Sequence, residues 1–250
     1  MKAALAVNKA TGDVGANLTA MEALAHEAAD AGAELVLFPE AAVTGLINND
    51  DPAHDLPLGQ PIPGPATERL GQLARRRSIH LATGILEREG DCLYDSAVLL
   101  GPAGRILLKY RRINPQWHGS KADPAVYRQG SSVGSADTPW GEVAIVICGD
   151  LFDHAVASQV RALRVDYLLF PFSRNFNDGS FDQDRWDREE AAAYAAAGTL
   201  HKCTTLMVNL IEDPDEFEYA SFGGAMVVSA EGEILASRPL GVPGILLTDV

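Results

Sequence analysis

The chain reads as an α/β protein whose mixed β-sheets are covered by helices, and three features of the sequence predict this. Strand–helix–strand units recur, the clearest running from Val143–Ile147 through a helix over Asp153–Arg164 to a strand over Asp166–Phe172. Glu34–Phe38 is a continuous apolar run after its first residue and stops at Pro39, as a parallel strand buried on both faces does. Hairpin turns at Gly101-Pro102-Ala103-Gly104 and Ala230-Glu231-Gly232 break the alternation, so the sheets are not purely parallel.

Taken in order, Ala3–Asn8 is a first buried strand, and Asn17–Ala31 places Leu18, Met21, Leu24, Ala25 and Ala28 at helical spacing. After the strand at Glu34–Phe38, the stretch Gly45–Pro65 is rich in Asn, Asp, Pro and Gly without a period. It reads as a long loop, of the kind kept for function. Thr67–Arg77 returns to helix and Ile79–Leu86 to strand, while Leu93–Leu100 and Arg105–Tyr110 form the first hairpin. A second loop spans Asn114–Asp137. Beyond the unit centred on Cys148, Trp186–His201 reads as an alanine-rich helix, Thr205–Ile211 as a strand, and Phe222–Val228 with Glu233–Ser237 as the second hairpin. The acidic run Glu212–Glu216 reads as a solvated loop. Neither a repeat nor an interdomain linker is visible, so one domain over residues 1–250 is expected.

Composition narrows the function. The 250 residues are 47% hydrophobic and 22% charged, with no apolar run near the roughly 18 residues that a membrane span needs. The N-terminal apolar stretch is too short for a signal peptide, so a cytoplasmic protein with no membrane partner is expected. A formal charge of −14 argues against nucleic acid or anionic lipid and in favour of a small-molecule substrate. Cys92, Cys148 and Cys203 are far apart, lack CxxC spacing and leave one over in any pairing, so reduced thiols are expected. The six histidines show no metal-ligand spacing, and no metal is expected. A nucleotide-binding α/β domain is disfavoured because no GxGxxG or GxxxxGK[ST] follows a strand.

Ligands of open α/β folds collect beyond the carboxyl ends of the strands, where Glu40 and Cys148 both stand. Alone, a strand-end cysteine is usually an inert thiol and a strand-end glutamate a cap or a solvated group. The local shape alters those odds. A strand, then Cys148 with Gly149 behind it, then a helix makes a sharp turn that exposes the sulfur and aims backbone N–H groups at an incoming oxygen. A carboxylate at the end of a neighbouring strand is a candidate base.

The ordered set Phe38-Pro39-Glu40, Lys109-Tyr110-Arg111-Arg112-Ile113-Asn114-Pro115, Ile147-Cys148-Gly149-Asp150 and Phe222-Gly223-Gly224 resembles the nitrilase-like carbon–nitrogen hydrolases over nearly the whole chain. The resemblance implies a single-domain four-layer α-β-β-α sandwich, a homodimer or larger assembly, no cofactor, and a Glu-Lys-Cys catalytic set. Cys148 matches the family's nucleophile and Glu40 its general base. The family's lysine falls at Arg112, with Lys109 three residues earlier as the other cation within reach of the motif. A guanidinium can hold an oxyanion, but it is larger than an ammonium and cannot be deprotonated. The family's supporting second glutamate falls at Asp123, ahead of Tyr127 and Gly130. An Arg-Ala-x-Glu-Asn phrase of the later helix is replaced by Ala197-Gly198-Thr199-Leu200-His201, which marks a divergent member.

The activity implied is hydrolysis of a small linear amide or N-carbamoyl compound through a thioester on Cys148. The oxyanion would be held by Arg112 or Lys109 with the Gly149 N–H, and Ser173, Arg174 and Trp117 are candidates for the substrate pocket. Nitrile hydrolysis is the alternative within the same chemistry, disfavoured because Gly149-Asp150 replaces the Trp-Glu that follows the nitrilase cysteine. A catalytically silent relative that binds a metabolite or a partner is the alternative from another class, motivated by Arg112 and the missing helix phrase.

Overall fold

A computed structural model of the chain describes residues 1–213 and 220–250, so the loop expected over Glu212–Glu216 lies partly outside the described residues. Two six-stranded sheets face one another. In spatial order the first contains β12 (Gly244–Asp249), β1 (Lys2–Val7), β2 (Leu35–Leu37), β3 (His80–Glu89), β4 (Cys92–Leu100) and β5 (Ile106–Arg111). The second contains β11 (Ile234–Arg238), β10 (Ala225–Val228), β9 (Thr204–Asn209), β8 (Tyr167–Phe172), β7 (Gly141–Ile145) and β6 (Ser135–Thr138). Each sheet has a parallel centre, β1-β2-β3 and β7-β8-β9, flanked by antiparallel strands.

Side-chain alternation sorts the strands between two cores. Leu5, Leu37 and Leu99 point between the sheets and meet Leu169, Leu206 and Val208, while Ala4, Val36 and Leu100 face outward under helices. There α1 (Val14–Asp30) and α3 (Pro65–Arg77) contribute Leu18, Met21, Leu70 and Leu73. The second sheet is covered by α4 (His154–Leu163), α5 (Gln183–Glu189) and α6 (Ala191–Thr199). Together these make the four-layer α-β-β-α sandwich. A short α2 (Pro52–Asp55) lies in the first long loop. Caps fix the helix entries, as Asp13 accepts from Gly15 N at 2.8 Å and Asp153 from Ala155 N at 2.7 Å.

The structure departs from the sequence reading at four places. The loop expected over Asn114–Asp137 ends in β6, whose Ala136 and Thr138 pair with Val143 and Gly141 although Ser-Ala-Asp-Thr carries no apolar alternation. The hairpin strand expected from Phe222 begins at Ala225, because Gly223 and Gly224 take positive φ. The helix expected over Trp186–His201 is split at Glu190, which leaves helical geometry (φ −121°) and gives its carboxylate to Arg174 from the turn after β8. β12 was not anticipated. It is a half-buried edge strand that, among the described residues, pairs only with β1, so its pattern is weak.

Candidate active site

Glu40 follows β2, with no exposed surface. Its backbone lies so close to β3 that a Cβ on Gly84 would stand 2.5 Å from the Glu40 Cα, so glycine is required there. Arg112 leaves β5 on the same face as Leu108 and Tyr110, and its Nη1 donates to Glu40 Oε1 at 2.8 Å and to Asp95 Oδ2 at 3.3 Å. All three side chains are buried. Asp95 is the carboxylate the sequence reading missed. It sits on β4 in register with the inward-facing Leu93, Ala97 and Leu99, and a lone acid on that apolar face was the signal available.

From the opposite sheet, β7 runs through Val146 and Ile147 into Cys148, whose φ of 47° places a non-glycine residue in the left-handed region at the start of a single 3-10 turn, Cys148–Phe152. Asp150 holds that turn against the segment carrying Arg112. It is fully buried and accepts from Tyr110 Oη at 2.6 Å, Asn114 N at 2.7 Å and Ile113 N at 3.3 Å. Gly149 is pressed against the same segment, since a Cβ there would stand 2.9 Å from Asn114 Cγ and 3.0 Å from Arg112 Nη2. Arg112 therefore reaches the residue next to the sulfur with one amino group while the other is held by carboxylates. The Cys148 Sγ lies 3.6 Å from the Ser173 carbonyl oxygen and is half-buried.

Electrostatics follow from this enclosure. Burial pushes the Glu40 carboxyl up to about 8, and the neighbouring Cys148 adds to that rise while Arg112 opposes it. Burial also raises Asp95 well above the carboxylate range, helped by Glu40. For Arg112 burial works against the charge, but Cys148, Glu40 and the two aspartates outweigh it and keep the guanidinium protonated. The arrangement sets a carboxyl group against a thiol, with a permanent cation beside both.

The remaining predicted residues fall elsewhere. Lys109 turns to the other face of β5, where its Nζ meets Glu87 Oε1 at 2.7 Å beside Arg111, as period-two alternation dictates. Asp123 is exposed and uses Oδ1 to cap its own turn at Ala125 N, 2.8 Å away, so it does not join the buried carboxylates. Trp117 packs with Leu86, Leu93 and Tyr127 and walls a hollow between the two long loops, next to Asn48, Asp50 and His118. Ser173 lies at the sulfur, with its Oγ 2.7 Å from Ser221 Oγ. Arg174 is already matched by Glu190, its Nε donating at 2.8 Å, and Asn209 fastens this turn by accepting from Arg174 N at 2.8 Å and donating to Gly223 O at 2.9 Å. Among the described residues no group of three or more His, Cys, Asp or Glu side chains is arranged to hold a metal ion, and no helix is long and apolar enough to cross a membrane.

Residues 2–250 match the family model described as carbon-nitrogen hydrolase. Nitrilase 3 of Arabidopsis thaliana is 32% identical over 153 residues, a match covering 54% of this chain and only 43% of that protein. The omega-amidase of Homo sapiens is 28% identical over 231 residues, covering 88% of this chain and 77% of the relative. Among solved structures, a carbon-nitrogen hydrolase from Helicobacter pylori G27 superposes with a TM-score of 0.84 at 17% identity, over 99% of this chain and 88% of the other. An amidase from Nesterenkonia sp. gives 0.81 at 20% identity, over 100% and 90%. At such identities these two similarities speak to the fold.

Proposed function

The chain belongs to the carbon–nitrogen hydrolase family, and from that premise we propose that it hydrolyses a small linear amide or N-carbamoyl compound through a thioester on Cys148. One observation carries the reading. Glu40 and Arg112 from one sheet converge on Cys148 from the other, with the thiol close enough to add to the rise that burial imposes on the Glu40 carboxyl.

Glu40 takes the thiol proton, and the sulfur attacks the carbonyl carbon to form a C–S bond while the carbonyl electrons move onto oxygen. The oxyanion is held by the Gly149 N–H and by the Arg112 amino group lying against Gly149. Collapse of this intermediate breaks the C–N bond, and ammonia or an amine leaves with the proton from Glu40. A water deprotonated by the same carboxylate then attacks the thioester, and the proton returns to sulfur as the acid departs. Glu40 thus acts as base, acid and base again, a cycle suited to a group titrating near neutrality. The reading includes one catalytic unit over residues 1–250, a homodimeric assembly and a cytoplasmic setting in which Cys148 stays reduced.

Ammonia release from a panel of aliphatic amides, N-carbamoyl amino acids and aliphatic nitriles tests the proposal, with Cys148→Ala as control. Turnover of amides that disappears in the variant is the expected result. Turnover of nitriles alone would move the assignment to the nitrilases that several relatives are named for. Full activity in Cys148→Ala would remove the mechanism, and an unreactive Cys148 with no turnover of any class would leave a silent binding relative.

A further inference from the structure

The buried cluster around Arg112 carries more acid than base. Two carboxyl groups, Glu40 and Asp95, share one guanidinium nitrogen, and none of the three side chains has more than 2% of its surface exposed. If both acids were ionised, these three side chains would carry one uncompensated negative charge out of reach of water. One proton restores the balance among them. The other charged or titratable groups facing the pair are Cys148 from the turn after β7, Asp150 and Tyr110 around Arg112, and Tyr194 of α6. None of these adds a second cation.

The contact distances locate the proton. Arg112 Nη1 stands 2.8 Å from Glu40 Oε1 and 3.3 Å from Asp95 Oδ2, and a charge-assisted hydrogen bond is the shorter of two alternatives. The ionised partner is therefore Glu40 and the neutral one Asp95. Counted as bare carboxylates, Glu40 Oε2 and Asp95 Oδ1 are both buried without a hydrogen-bond donor. The two carboxyls sit together on one Arg112 nitrogen, so an O–H on Asp95 would supply a donor to Glu40. We propose that Asp95 is a positioning residue that holds this proton in the resting enzyme, keeping Glu40 ionised and aimed at Cys148 between a neutral carboxyl and the Arg112 cation. The inference builds on the thiol-hydrolase reading above, but the resting proton exists whether or not any amide is turned over.

A protonated carboxyl and a carboxamide share one shape and one polarity: carbonyl oxygen toward Arg112, donor toward Glu40. Asp95→Asn should accordingly retain at least about tenfold more kcat/KM and Cys148 alkylation rate by iodoacetamide than Asp95→Ala, in which Glu40 loses a buried donor. Infrared difference spectra at pH 7 read the proton directly. The C=O stretch of a protonated carboxyl should be present in the wild type and in Cys148→Ala. It should vanish in Asp95→Asn and also in Glu40→Gln, where the remaining aspartate ionises against Arg112. Persistence of the band in Asp95→Asn, its absence from the wild type, or an Asp95→Asn variant as impaired as Asp95→Ala would each overturn the assignment. The two readings fail separately: a wild type inert to every amide and nitrile but showing the band sinks the hydrolase and keeps the proton, whereas amide turnover without the band does the reverse.

Discussion

Replacing Glu40 by Gln should make the protein less sensitive to alkali, and the size of the effect follows from the burial of this carboxyl. In the unfolded chain a glutamate and an aspartate both lose their protons near the ordinary carboxylate range, whereas burial raises both Glu40 and Asp95 in the folded state, Glu40 to about 8. Arg112 compensates one of the two carboxylates, so the folded wild type keeps one proton that the unfolded chain has released. A group raised in this way contributes stability that is fully present below its unfolded value and is lost as the pH climbs towards the folded one. Each pH unit across that window removes about 1.4 kcal/mol for one proton. In Glu40→Gln the remaining Asp95 is matched by Arg112 alone, no extra proton is held, and this slope disappears. Between pH 5 and 7.5 the variant should therefore gain about 3 kcal/mol on the wild type, an upper figure because relaxation and water entry weaken burial effects. Urea unfolding at four pH values in this range measures it, since all other titrating groups cancel in the difference. A stability difference constant across the range would refute the account of a shared proton held by burial.

Three further outcomes follow from the same geometry. Gly149→Ala should fold normally by circular dichroism but lose about 100-fold in kcat/KM, because its methyl group displaces Arg112 Nη2, 3.0 Å away, from the oxyanion position. Arg112→Met should abolish turnover and lower stability by about 3–5 kcal/mol in urea by leaving buried acid unpaired, whereas Lys109→Met, on the far face of β5 with Glu87, should change kcat/KM by less than about twofold. Tyr110→Phe removes the 2.6 Å donor to the buried Asp150 and should cost about 1–3 kcal/mol in urea unfolding. Its kcat should fall too if that staple sets the Cys148 turn.

The strands and helices with strong local signals were legible because burial acts on them through short-range pattern. Leu35–Leu37 and Val143–Ile145 are apolar on both faces, and α3 shows its stripe without ambiguity. What escaped was structure created by a partner far away in the chain. β12 exists because β1 offers an open edge, and β6 because β7 does; neither Gly244–Asp249 nor Ser135–Thr138 has enough apolar contrast to announce a strand unaided. The break at Glu190 has the same origin, since it depends on a guanidinium from the turn after β8.

The candidate site divides along the same line. Glu40 and Cys148 stand at strand ends, where a residue's position in the fold can be inferred from local pattern, and motif order added Arg112. The second acid could not be reached that way. Spacing to Gly130 pointed to Asp123, but that side chain satisfies itself on its own turn in solvent, and the carboxyl that meets Arg112 comes instead from the middle of a strand. A buried acid in mid-strand is expensive unless it is neutralised, so Asp95 on the inward face beside Leu93 and Ala97 was itself a sign that a cation or a proton had to be waiting for it. The structure supplies the cation, shares it with Glu40, and so leaves the aspartate with the proton: the unfavourable residue in the pattern is the one that sets the charge state of the base.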